Sequence, residues 1–147
     1  MTNEPISVDL IRAFRRSDDA PAGWTDEEVR ASLERYRRFF LLAARYPQAR
    51  LAPTRDIDIF WHLHMLHPVA YSSDCQKTMG RIMDHDGGFG KGEGELPELQ
   101  QAFSDTERLW REAYGEPYVD RIAEGTSEPV DCWHRCANTC WHKCQGK

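Results

Sequence analysis

Between Thr25 and Pro47 the residues Val29, Leu33, Tyr36, Phe40 and Ala43 recur at steps of three and four. That is the spacing of one face of an α-helix. Thr25-Asp26-Glu27-Glu28 in front of the run forms a capping box. The Thr25 hydroxyl accepts from the Glu28 amide, and the Glu28 carboxylate reaches back to the Thr25 amide. Pro47 ends the run near Tyr46, because a residue before proline is pushed out of the helical region. A long helix with one apolar stripe has to cover that stripe with other elements, and the rest of the chain supplies helices rather than strands.

Val8 to Arg15 places Leu10, Ile11 and Phe14 on one face of a short helix, broken by Asp18–Gly23. Pro53-Thr54 opens a third helix with Asp56 and Asp58 in its first turn, where the helix dipole favours acids. Pro68 either stops that helix near His67 or kinks it into one running to about Met79, with Gly80 as its cap. Asp86–Gly94 contains five glycines and is expected to be a mobile loop. Pro97 to Tyr114 reads as a last helix, with Leu99, Phe103, Leu109 and Trp110 facing the core and Gly115 ending it. Gly125–Pro129 reads as a linker. The expectation is all-α: a single helical bundle over residues 1–124, with a flexible cysteine-rich C-terminal tail over 125–147.

The chain has 147 residues, 40% of them hydrophobic and 29% charged, the profile of a soluble globular domain with a core of its own. A formal charge of −5 argues against nucleic acid as a partner, since phosphate neutralisation needs a basic face. The apolar runs are too short to span a membrane. No basic stretch precedes an apolar one at the start, so the expected location is the reducing cytoplasm. There cysteines serve as thiols or metal ligands rather than as structural disulfides.

The chemistry concentrates in two places. In the first, His62, His64, His67, Cys75 and His85 fall within 24 residues, and imidazole and thiolate are the common soft or borderline metal ligands. Residues two apart on a helix point about 200° from each other, so His62 and His64 face different ways. Asp58 and His62, four apart, can form a carboxylate–imidazole pair; His64 and His67, three apart, can converge on one ion. His64, Cys75 and His85, with His67 or water, would then make a tetrahedral site. Asp58–His62 would be a supporting pair or would assist as a base. The alternative for each residue is structural. A histidine on a packed helix often serves as a buried hydrogen-bonding group, and a lone Cys75 often serves as a small core residue.

These residues also resemble a known family. Arg55-Asp56-Ile57-Asp58, Trp61-His62-Leu63-His64, Pro68, Tyr71, Asp74-Cys75 and Gly80 look like the shared block of the glycine-rich domain-containing proteins. Leu109-Trp110, Tyr114 and Glu116-Pro117-Tyr118 resemble its continuation. The resemblance spans about residues 25–120 and points to Asp58, Trp61, His62, His64, Tyr71 and Cys75. His67 departs from some members, and the family's long glycine-rich repeats are absent apart from the short Gly87–Gly94 loop. The resemblance supplies a block of interest rather than a reaction.

The second place is the tail, where Cys132-Trp133-His134-Arg135-Cys136 repeats as Cys140-Trp141-His142-Lys143-Cys144. Four thiols and two imidazoles suit Cu(I) or Zn(II). On a helix the cysteines, four apart, would form one slowly winding stripe; oxidised, each pair would lie near disulfide distance. The tail also resembles the core of a modified peptide, which would make it a substrate carried by the bundle.

Three functions follow. The leading one is a metal-binding protein, holding Zn, Fe or Cu in the bundle and binding or transferring a soft metal at Cys132, His134, Cys136, Cys140, His142 and Cys144. The second is a metal-dependent hydrolytic or oxidative enzyme with an open coordination position, the tail being its substrate or accessory. The third is an interaction module that engages a protein or peptide partner through Trp133 and Trp141. Whether the chain turns over a substrate is left open by the sequence.

Overall fold

The structure is a computed structural model and describes residues 4–87, 90 and 92–119. The described residues form five helices and no strand, the all-α class expected. They are α1 (Leu10–Arg16), α2 (Asp26–Arg45), α3 (Arg55–Met65), α4 (Pro68–Met79) and α5 (Glu95–Tyr114). No described helix is long and apolar enough to cross a membrane. Cys132, His134, Cys136, Cys140, His142 and Cys144 lie outside the described residues. The chain groups into two compact units. The first comprises Met1–Ala49 and Asp56–Met83, and the second comprises Arg50–Arg55 and the described residues from Asp84 onward.

In the first unit, α1 and α4 both lie against α2. α1 starts at Leu10 because the Asp9 carboxylate caps it, accepting from the Arg12 amide at 3.0 Å. Leu10 and Phe14, four apart, are its buried face, and Phe14 stacks between Trp24 and Phe60. α2 begins at the capping box, with both reciprocal hydrogen bonds formed at 3.1 and 3.2 Å. Its buried face is wider than the apolar pattern suggests. Val29, Tyr36, Phe39, Phe40, Leu42 and Ala43 are buried, with Ser32 and Arg35 beside them, while Leu33 is only half-buried. Burying one such large side chain stabilises by about 1.5–3 kcal/mol, so packing outweighs any single cap. Thr25→Ala should accordingly cost only about 1 kcal/mol, seen as a small fall in the urea midpoint at unchanged slope.

α3 and α4 are separate helices rather than one kinked helix. Pro68 sits at the first position of α4, where its missing N–H would have had no helical partner. Gly80 ends α4 in the left-handed region, at φ 71°, which glycine adopts at no steric cost. An extended arm precedes α1. It buries Ile6, gives the Ser7 amide to the Asp74 carboxylate at 2.9 Å, and pairs Glu4 with Arg37 at 2.9 Å.

In the second unit, α5 begins two residues before the expected Pro97. It buries Leu99, Ala102, Phe103, Thr106, Leu109 and Trp110 along one stripe. The segment Arg50–Arg55 has no ladder for its backbone, and side chains take that role. Thr106 Oγ1 accepts from the Ala52 amide at 2.9 Å, and the Tyr118 hydroxyl accepts from the Thr54 amide at 3.1 Å while donating to the Ala52 carbonyl at 2.7 Å. Tyr118 packs on Phe103 and Trp110.

Candidate functional site

The histidine block lies on α3 and at the start of α4, and its residues divide by direction. His64 is fully buried among the rings of Tyr36, Phe40 and Tyr71. Its Nε2 is 2.8 Å from Asp74 Oδ2, and its Nδ1 is 2.8 Å from the Tyr36 hydroxyl. A carboxylate only accepts, so Nε2 carries the proton and Nδ1 accepts from Tyr36. The same Asp74 Oδ2 also takes the Ser7 amide. Burial holds the His64 pKa below the ordinary 6.5, with Asp74 pulling part of the way back, so the ring is neutral near pH 7. Both nitrogens are thus committed to protein partners. A metal ion at His64 would have to displace one of them.

Burial raises the Tyr36 pKa well above 10.0, reinforced by repulsion from Tyr71, Cys75 and Asp74. An unfolded tyrosine loses its proton near 10.0 while the folded one keeps it. The unfolded chain then binds fewer protons, so stability should fall as pH rises past 10.0. An absorbance titration should show a late-ionising tyrosine in the wild type whose contribution is missing from Tyr36→Phe, together with a shallower alkaline loss of stability in that variant.

A second buried chain runs alongside. Trp61 Nε1 donates to the Tyr71 hydroxyl at 2.8 Å, and that hydroxyl donates in a short bond to the Met83 carbonyl. Cys75 is fully buried. Burial pushes its thiol pKa up, so the thiol keeps its proton. Asp56, in the first turn of α3, meets Arg35 of α2 through Nε–Oδ2 at 2.7 Å and Nη2–Oδ1 at 3.5 Å, both side chains buried.

Asp58 and His62 face another way. His62 Nε2 is 3.3 Å from Asp58 Oδ2; the carboxylate is buried and the imidazole is 34% exposed. Two donors bound to one tetrahedral zinc at about 2.0–2.1 Å would stand about 3.3–3.4 Å apart. A good charge-assisted hydrogen bond would be shorter, at about 2.7–2.9 Å. The pair therefore has the separation of two ligands of one ion, with the imidazole reachable from solvent.

The other expected ligands are placed separately. His67 sits at the N-cap of α4, half-buried, with Nδ1 2.8 Å from the Leu63 carbonyl. It does not converge with His64, whose nitrogens point to Tyr36 and Asp74. Within the first unit His64 and His67 are each tied to protein groups, and Cys75 is sealed in the core. His85 belongs to the second unit, half-buried in the segment after Met83. The roles of Arg35 and Tyr36 were not visible in sequence. Tyr36 reads as an apolar core residue, Asp56 as a dipole acid, and Arg35 carries no local signal of burial.

Residues 20–74 match the family described as glycine-rich domain-containing protein-like. The matched segment holds α2, α3 and the part of α4 that carries Asp74. Two Arabidopsis thaliana proteins are similar to this chain. Glycine-rich domain-containing protein 2 is 32% identical over 141 residues, covering 86% of this chain and 17% of its own length. Glycine-rich domain-containing protein 1 is 33% identical over 98 residues, covering 64% of this chain and 12% of its own length. The chain thus spans under a fifth of the curated relatives it matches. No solved structure matches.

Proposed function

Because the chain belongs to the glycine-rich domain-containing protein-like family, its function is to be sought in the shared segment, and we propose that it is a metal-binding protein whose first unit holds a divalent ion through Asp58 and His62. The observation that carries this reading is the 3.3 Å separation of His62 Nε2 and Asp58 Oδ2, the edge length of a tetrahedral site. The two side chains come from one turn of α3, so helix geometry pre-orients them and little ordering is needed on binding. Carboxylate and imidazole together suit Zn(II) or Fe(II). With two protein donors named, further positions are open to water or to other groups, which keeps hydrolytic chemistry possible. The tail's thiols and imidazoles are the second set of donors in the chain.

The test is metal titration of the reduced full-length chain in a background with Cys132, Cys136, Cys140 and Cys144 replaced by serine, so that tail thiols contribute nothing. This background should bind about one Zn(II). Asp58→Ala or His62→Ala should weaken binding on the order of tenfold or more while the far-ultraviolet spectrum stays helical. Unchanged affinity in both variants would sink the reading.

A further inference from the structure

The arm before α1 is seated on α2 and α4 through the short stretch from Glu4 to Ser7. The Glu4 carboxylate meets Arg37 Nε of α2 at 2.9 and 3.1 Å and accepts from the Ile6 amide at 3.2 Å. The Ile6 side chain is buried. The Ser7 amide donates to Asp74 Oδ2 of α4 at 2.9 Å. The stretch itself carries neither helix nor strand.

The receiving groups do not depend on the arm. Asp74 also accepts from His64 Nε2 at 2.8 Å, and Arg37 also pairs with Glu34 one turn back on α2. A seat whose polar groups are fixed beforehand needs less ordering when a chain settles on it. Arg37 and Asp74 both fall within the matched residues 20–74, whereas the arm precedes them. Their opposite charges set a direction. Arg37 takes a carboxylate, and Asp74 takes a main-chain N–H three residues further on.

We propose that this seat docks an extended peptide segment of a partner protein, with the chain's own arm as its resting occupant. The partner segment carries an acid at its first position and an aliphatic residue at its third. Its fourth position takes any residue except proline, because the N–H is needed there. Proline fits the second position, which Pro5 holds in the arm. Main-chain hydrogen bonding supplies affinity, and the alternate side chains supply specificity.

The experiment uses the full chain and an acetylated peptide of the sequence Glu4 to Asp9. Ile6→Asp in the chain ejects its own arm and leaves the seat open. That variant should bind the peptide at least about tenfold more tightly than the wild type, whose tethered arm competes. Carrying Ser7→Pro in the peptide, or adding Arg37→Ala to the open chain, should weaken binding severalfold or more. In the wild type the Ser7 amide should exchange with deuterium at least about a hundredfold faster than the interior amides of α4, because the arm opens without unfolding the helices.

Three results would overturn the proposal. A folded Ile6→Asp chain could fail to bind the peptide at about 1 mM. The Ser7 amide could exchange no faster than the α4 interior, or Ile6→Asp could unfold the chain; either makes the arm part of the cooperative fold. A wild-type dimer that the peptide dissociates would make a second copy the occupant instead of a partner protein.

Discussion

Asp56→Ala is expected to destabilise the first unit by about 3–5 kcal/mol, the cost of stripping one partner from a buried ion pair. The Asp56 carboxylate is fully buried against Arg35, whose side chain is 7% exposed, with Nε–Oδ2 at 2.7 Å. Removing the carboxylate leaves a guanidinium that water cannot reach and whose paired charge is gone. The position of Asp56 in the first turn of α3 also favours an acid through the helix dipole, but that effect is about 0.3–1 kcal/mol and cannot account for the larger loss. Against a typical total stability of about 5–15 kcal/mol, the change removes a large share. Urea unfolding measures it. The double variant Arg35→Met with Asp56→Ala should recover part of the loss, because it removes the stranded charge as well. A loss below about 1 kcal/mol for Asp56→Ala alone would mean that the pair behaves like a surface contact.

His64→Ala and His62→Ala should have opposite effects although the residues are two apart. Replacing His64 takes the acceptor from the buried Tyr36 hydroxyl and the donor from the buried Asp74 carboxylate. Each orphaned polar group costs about 1–3 kcal/mol, more for a charged one. The lost ring also vacates space among Tyr36, Phe40 and Tyr71. The expected cost is about 3–5 kcal/mol. The His62 imidazole is 34% exposed, and a partly solvated carboxylate–imidazole contact is worth about 0–1 kcal/mol. His62→Ala should therefore stay within about 1 kcal/mol of the wild type and, on the proposed reading, lose metal binding instead. Thermal melts and metal titration on the same samples separate the two. If His64→Ala remained as stable as the wild type and lost the metal, the burial argument for His64 would be wrong.

Much of the fold was legible because its signals are local. The capping box at Thr25, the break at Pro68, the left-handed Gly80 and the Asp58–His62 spacing all act within four residues or fewer. Helix starts moved by two residues where a neighbouring side chain or turn set the boundary, as Asp9 does for α1. The contacts that organise the core are of another kind. Arg35 meets Asp56 across 21 residues, Tyr36 meets His64 across 28, and Ala52 meets Tyr118 across 66. No period or motif encodes such pairings, since any buried polar group would accept any complementary partner that the packing brings near.

The family block shows the same division. Its order and spacing were readable, and so was the all-α class, because helical period and helix-breaking residues are properties of the chain itself. The tasks of its individual residues were not. Three histidines on α3 and at the start of α4 are chemically alike in sequence. Packing of α2 and α4 against each other placed Tyr36 and Asp74 on the two nitrogens of His64 and left His62 partly exposed. An imidazole has only two nitrogens, so partners supplied by other helices decide whether it is locked into the core or open to an ion. By itself the sequence determined the helices, their breaks and the Asp58–His62 pair; the tertiary structure alone decided which histidine holds the fold together.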